Sequence, residues 1–237
     1  MNKKLPNSYH GLKVVHFSDL HYGSTFKIDD IKNMVKNINT LKPEIILFTG
    51  DLINNNVNLS KDELASLFKE LNKLDPVISS YIIKGDHDYR TDYLEFLKNS
   101  TFILLENSAE YFYYNSDTPI TIIGLESDLE KQQNIAKAFD NFNEEYYSIL
   151  LVHEPDSIKH LKDFKVDLVL AGHSLNGQMK IPFLGPLFKI EGAKYYFDEK
   201  HIVNNAPMYI SGGLGTNKYP FRLFNHPSFN FYRLYNQ

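Results

Sequence analysis

No cysteine occurs in the 237 residues, which removes disulfides, Cys-bearing zinc sites and thiol nucleophiles together. Any metal must then sit on His, Asp, Glu or Asn. Lys/Arg-rich stretches are missing too: 25 basic residues are spread against 29 acidic ones, for a net charge of −4. Without the electrostatic footprint that a duplex requires, no nucleic-acid partner is expected. No apolar run approaches the ~20 residues of a membrane span, and the N-terminus MNKKLPNSYHGLK is basic but carries no apolar signal-peptide segment. The expectation is a soluble chain, cytoplasmic or membrane-associated. No repeat, low-complexity tract or linker divides it, and 43% hydrophobic residues suffice for a sizeable core. A single domain over residues 1–237 follows.

What is present is a rhythm of apolar runs that end in Asp or His. Leu12–Phe17 reads as a buried strand that stops at Ser18-Asp19-Leu20-His21. Ile28, Ile31, Met34, Val35 and Ile38 then recur at helical spacing as far as Leu41, and Pro43 closes the segment. The unit repeats: Ile45–Phe48 ends in Thr49-Gly50-Asp51, and Ser60 with Glu63 three residues on predicts a capped helix through Leu74. A third strand, Ile78–Ile83, delivers Gly85-Asp86-His87-Asp88 ahead of a helix over 91–98. Alternating strands and helices predict a layered α/β sheet with ligands at the C-terminal strand ends. From residue 102 the pattern shortens to strands at 102–105, 111–114 and 120–123, which suggest hairpins. A polar helix over 129–140 is expected next. A strand at 149–152 then ends in His153-Glu154-Pro155, a short helix covers 156–163, and a strand at 167–170 ends in Gly172-His173. Residues 174–200 look irregular, and the tail is β.

Asp19 and His21 are two apart, so an extended backbone points both side chains to one side, as two ligands of one ion require. A lone His or Asp past a strand is more often a cap or turn residue than a ligand. Recurrence is what counts here: Asp19, His21, Asp51, Asp86, His87, His153 and His173 all fall just past a buried run. Carboxylate and imidazole together suit Mn, Fe or Zn rather than calcium, and two such ions sharing a carboxylate is the natural arrangement.

In order and spacing, Asp19-x-His21, Gly50-Asp51, Gly85-Asp86-His87-Asp88, His153 and Gly172-His173 resemble the calcineurin-like metallophosphoesterases. His153-Glu154-Pro155-Asp156, Gly177-Gln178 and the stretch from Gly213-Leu214-Gly215 to Arg222 resemble the bacterial branch typified by YkuE-type and YaeI-type phosphoesterases. The resemblance implies a four-layer α-β-β-α sandwich with two mixed sheets. It also implies a dinuclear centre of two divalent ions (Mn, Fe or Zn), where a metal-bound hydroxide hydrolyses a phosphoester, a diester rather than a monoester. Carried over by position, Asp19 and His21 hold the first ion, Asp51 bridges, and Asp86, His153 and His173 hold the second. His87 stands by the phosphate as a protonated general acid, and Asp88 orients its ring.

Two positions depart from the pattern. The family reads Gly-Asn-His-Asp/Glu where this chain has Asp86, and Gly-His-x-His where it has Leu175. The first ion keeps three protein ligands and its site is weakened, as in catalytic zinc sites that add water to three ligands. A non-catalytic or regulatory metal-binding protein on the same scaffold is the competing class. His10, His16, His160, His201 and His226 have no partner at ligand spacing and read as surface or packing residues, with His16 in the core. Tyr111–Tyr114 reads as core aromatics and Gly212–Gly215 as a tight turn. Ile181–Phe188 reads as a packed loop, with an acyl-lining role as the alternative. In related bacterial enzymes a hydrophobic anchor often precedes the position of Leu5-Pro6. The resemblance thus implies a phosphoester small molecule or a lipid-linked substrate, with peripheral membrane association.

Overall fold

Successive side chains of each buried strand enter two different cores, and this alternation is what makes two stacked sheets rather than one. The structure, a computed structural model, describes residues 4–140, 142–161 and 165–236. Its elements in chain order are β1 (Leu12–Phe17), α1 (Ile28–Thr40), β2 (Ile45–Phe48), α2 (Lys61–Leu71), β3 (Ser79–Ile82), α3 (Thr91–Lys98), β4 (Phe102–Leu104), β5 (Ser108–Phe112), β6 (Ile120–Gly124) and α4 (Ile135–Ala138). They continue with β7 (Ser148–Val152), β8 (Leu168–Ala171), β9 (Lys180–Ile181), β10 (Gly185–Pro186), β11 (Lys200–Val203), β12 (Ala206–Ile210) and β13 (Asn230–Leu234).

One sheet runs β13-β1-β2-β3-β4 and the other β11-β12-β8-β7-β6-β5. Both are mixed: β1 to β4 are parallel with β13 antiparallel at the edge, and β6, β7, β8 and β12 are parallel with antiparallel edges β5 and β11. Val14, Ile45, Leu47, Ile149 and Leu151 fill the core between the sheets. Their neighbours Val15, Phe17, Ile46 and Phe48 face α1 and α2 on one outside, while Leu150 and Val152 face α4 and a 3-10 turn at Pro155–His160 on the other. The four-layer α-β-β-α sandwich is as expected.

The differences have local causes. The helix expected over 129–140 shrinks to Ile135–Ala138, because Asn107 takes over the backbone before it. Its side chain donates to Gln132 O at 2.8 Å and accepts from Asn134 N–H at 2.9 Å. The strand expected at 111–114 shifts to Ser108–Phe112, where it pairs with β6, and β4 joins the other sheet rather than a hairpin. The short helix expected over 156–163 is the 3-10 turn; residues 162–164 lie outside the described residues. Among the described residues no helix is long and apolar enough to cross a membrane.

Candidate metal centre

All the parallel strands of both sheets end on one side, and the polar residues just past them converge there. Asp19 and His21 follow β1, Asp51 follows β2, Asp86 follows β3, His153 follows β7 and His173 follows β8. The turns that carry them are strained: Asp19, His21, Asp51, His173 and Leu175 all sit at positive φ, between 41° and 64°. For residues other than glycine that costs of order 1–3 kcal/mol each, a cost typical of functional loops. Backbone cross-links hold the turns, with Asp19 N–H donating to Gly50 O at 2.9 Å and His21 N–H to Asp51 O at 3.1 Å.

Asp19, Asp51, His153 and His173 each spend one atom on the scaffold and leave the other aimed inward, while both ring nitrogens of His21 are buried without a partner. Asp51 Oδ1 accepts from His87 N–H at 3.0 Å, and Asp19 Oδ2 accepts from His173 N–H at 2.9 Å. His153 Nδ1 donates to Thr49 O and His173 Nε2 to Glu191 O, both at 2.6 Å. The remaining atoms, Asp19 Oδ1, His21 Nε2, Asp51 Oδ2, Asp86 Oδ1, His153 Nε2 and His173 Nδ1, are buried without a hydrogen-bond partner. Buried polar atoms are rarely left unmatched, and these six form one cluster. Asp86 Oδ1 lies 3.2 Å from His153 Nε2 and 3.1 Å from His173 Nδ1. Asp51 Oδ2 lies 3.3 Å from His153 Nε2 and 3.5 Å from His21 Nε2, which is 3.7 Å from Asp19 Oδ1. The residues therefore fit metal ions: Asp51, Asp86, His153 and His173 form one ligand group, and His21 and Asp51 reach a second with His87. Carbonyl bonds to the far nitrogens of His153 and His173 fix which nitrogen faces inward.

The electrostatics favour positive charge at the centre. Burial alone would raise the Asp51 carboxyl, yet the neighbouring His153 and His21 bring it down to about 2. Asp86 is likewise lowered against its burial by His153 and His173. In the same field, burial lowers His173 but Asp86 more than reverses it, to about 9, and His153 is raised well above its ordinary value by Asp51 and Asp86. A field that draws protons onto imidazoles draws a divalent cation equally, so metal and protons compete there. Burial is the first cause that keeps His21 low, in the neutral form a ligand needs.

Asp88 is placed differently from the expectation. Its carboxylate does not meet the His87 ring; it accepts from Asp51 N–H at 2.7 Å, Leu52 N–H at 2.9 Å and Gly85 N–H at 3.0 Å. Its three-residue spacing from Gly85 makes it a turn cap, which satisfies backbone donors that the ring could not replace. Burial, then repulsion by Asp51, raises its carboxyl to about 6. His87 is oriented instead by Asn55, whose N–H donates to Nδ1 at 3.2 Å. With Nδ1 accepting that bond, Nε2 is the ring nitrogen left to carry a proton and face the centre.

Close approach explains the glycine before Asp86: a Cβ on Gly85 would lie 2.2 Å from Asp51 Oδ1 and 2.7 Å from His153 Cε1. Leu175 is buried beside Asp19 and Arg222. A Cβ on Gly213 would lie 2.4 Å from Leu175 Cδ2, 3.0 Å from Asp19 Cβ and 3.3 Å from Arg222 Nη2. The Arg222 guanidinium donates to Gly212 O at 2.8 Å and to Gly215 O at 2.6 and 3.0 Å, and burial brings it down to about 10 against the pull of Asp19. The orienting contacts from Asn55, Thr49 and Glu191 come from backbone atoms and leave no mark on the sequence. His16 is a core residue as expected, with Nε2 2.9 Å from Thr49 Oγ1.

A family model described as calcineurin-like phosphoesterase matches residues 12–177. Over 234 residues the chain is 28% identical to the metallophosphoesterase YkuE of Bacillus subtilis, covering 97% of this chain and 81% of that one. It is 28% identical to the UDP-2,3-diacylglucosamine pyrophosphatase LpxG of Chlamydia trachomatis, covering 77% of this chain and 70% of that one. A dimetal phosphatase from Danio rerio has a similar fold, with a TM-score of 0.51 at 10% identity over 86% of this chain and 88% of that chain.

Proposed function

This chain belongs to the calcineurin-like phosphoesterase family, and from that premise we propose that it is a metal-dependent phosphodiesterase that activates water at a dinuclear centre. One observation carries the reading: six buried ligand atoms from five strand ends converge without hydrogen-bond partners. Asp51, Asp86, His153 and His173 would hold one ion, and Asp19, His21 and Asp51 the other, with residues 1–237 working as one domain. Bound divalent ions supply Lewis acidity, drawing in phosphate oxygens and lowering the pKa of a coordinated water. His87, its Nδ1 engaged by Asn55, offers its Nε2–H to a phosphate or leaving-group oxygen. Asp88 acts as a positioning residue that fixes the turn carrying Asp51. The substrate we favour is a phosphoester joined to a lipid, supported by a relative named for a diacylated nucleotide sugar.

Asp51→Asn tests this. The variant should lose most bound metal in elemental analysis and at least roughly 10²-fold of its Mn- or Zn-dependent turnover of an aryl phosphodiester. Full activity in the variant would refute the proposal. Leu175, apolar at a ligand position beside Asp19, favours a second reading, a metal-binding protein without turnover. Bound metal in the unaltered chain with no hydrolysis of any phosphoester would decide for that reading.

A further inference from the structure

The segment between Leu175 and Glu191 leaves the metal centre and comes back to it, since the Glu191 carbonyl holds His173. Between these points β9 and β10 form a small hairpin, seated where a Cβ on Gly177 would lie 2.4 Å from Pro186 Cβ. At its tip Phe183 is fully exposed and Leu184 is 81% exposed. Phe183 has φ 68°, a conformation unfavourable for a bulky residue, yet the turn holds its ring out in water. The hairpin is joined to the 219–224 loop through the Met179–Leu223 bridge, and Phe188 stacks on Tyr219 at 6.0 Å. Phe221 and Phe224 of that loop are exposed as well. A contiguous apolar patch of this kind marks an interaction surface.

Charge indicates what the surface meets. The hairpin and the loop joined to it, residues 177–190 and 217–224, carry Lys180, Lys189, Lys218 and Arg222 and no Asp or Glu, in a chain whose net charge is −4; the carboxylate of Asp198 lies 3.5 Å from Lys180. Lys180 lies in β9 itself, Lys189 follows the hairpin and lies over the Phe197 ring at 4.2 Å, and Lys218 lies over the Tyr219 ring at 5.8 Å. Apolar tips ringed by aromatics and lysines match the interface of an anionic bilayer, where acyl chains take the tips and headgroups the cations. A fluid apolar phase also accepts two protruding side chains without a complementary pocket, which a protein partner or a second copy would have to supply.

We propose that the β9–β10 hairpin and the 219–224 loop dock this protein on an anionic phospholipid membrane, with Phe183 and Leu184 inserted among the acyl chains. Docking would place the lipid surface beside the loop that carries His173, so a lipid-borne phosphoester could reach the centre without leaving the membrane. The proposal deepens the lipid-linked reading above, and vesicles that contain no substrate test it separately.

The chain has no tryptophan, so Phe183→Trp introduces a sole tryptophan in the full-length protein, excited selectively at wavelengths too long for its tyrosines. With vesicles containing phosphatidylglycerol its emission should shift to the blue, be quenched by brominated acyl chains, and respond less to pure phosphatidylcholine or at high salt. The doubly substituted Phe183→Ser, Leu184→Ser chain should partition roughly tenfold or more weakly onto the same vesicles, with unchanged melting temperature and metal content. Unshifted emission, equal vesicle binding by the double variant, or patch-dependent dimerisation in sedimentation in place of vesicle binding would overturn the proposal. Intact turnover of a soluble diester alongside any of these results would leave the phosphoesterase reading standing.

Discussion

Replacing Asp88 separates two accounts of what the carboxylate does. It is fully buried and accepts three backbone N–H groups, from Asp51, Leu52 and Gly85. In Asp88→Ala those donors lose their acceptor inside the protein, at ~1–3 kcal/mol each. Against this, the carboxyl titrates near 6, raised by burial first and by Asp51 second. A carboxyl raised above its unfolded value of 3.8 stabilises the fold in acid and loses that contribution as pH climbs through about 6. At neutral pH its charged form therefore costs roughly 3 kcal/mol, which the alanine variant recovers. The net expectation is a loss of roughly 3 kcal/mol in urea unfolding of the metal-free protein at neutral pH. Asp88→Asn keeps an oxygen on the Asp51 and Gly85 donors but turns its amide toward Leu52 N–H, so it should fall between the two. Because the turn carries Asp51, metal affinity measured by calorimetry should drop roughly 10–100-fold in both variants. Unchanged metal affinity with an altered pH–rate profile would refute this reasoning and return Asp88 to the His87 ring.

Three further outcomes follow from single positions. Leu175→His should raise Mn or Zn affinity at the Asp19–His21 site roughly tenfold or more in calorimetry, because it adds a fourth protein ligand where a positive φ is already set; unchanged stoichiometry and affinity would count against that site. Burial pushes the His16 imidazole down to about 3 from 6.5. As pH falls the unfolded chain protonates first, so about 2 kcal/mol of stability should be lost between pH 7 and pH 5. His16→Asn should remove that part of the slope in urea titrations, and an identical pH dependence in both proteins would contradict it. Leu47→Ala, which opens a cavity between the sheets, should cost about 2–5 kcal/mol in the same assay; a negligible change would place Leu47 outside the shared core.

The strand ends were legible because two signals coincide at each of them. An apolar run such as Ile45–Phe48 must be buried on both faces, and the polar pair Gly50-Asp51 then has to lie at its mouth. Where backbone atoms decide, sequence falls silent. Nothing in the residue order says that Asn55 N–H holds His87, or that Asp88 serves three backbone donors rather than a ring. The expectation for 129–140 failed for a related reason: a helix without an apolar stripe is easily displaced, and one distant side chain, Asn107, was enough. The 181–188 segment read as a loop over the core because two prolines argued against a strand. In fact Pro186 sits within β10, and the apolar residues of the turn point out.

Anomalous diffraction from crystals grown with Mn or Zn tests the central claim most directly. The account predicts an ion at about 2.0–2.3 Å from atoms of Asp51, Asp86, His153 and His173, and a second, weaker peak between Asp19, His21 and Asp51. No anomalous peak within coordination distance of any of these side chains would contradict it.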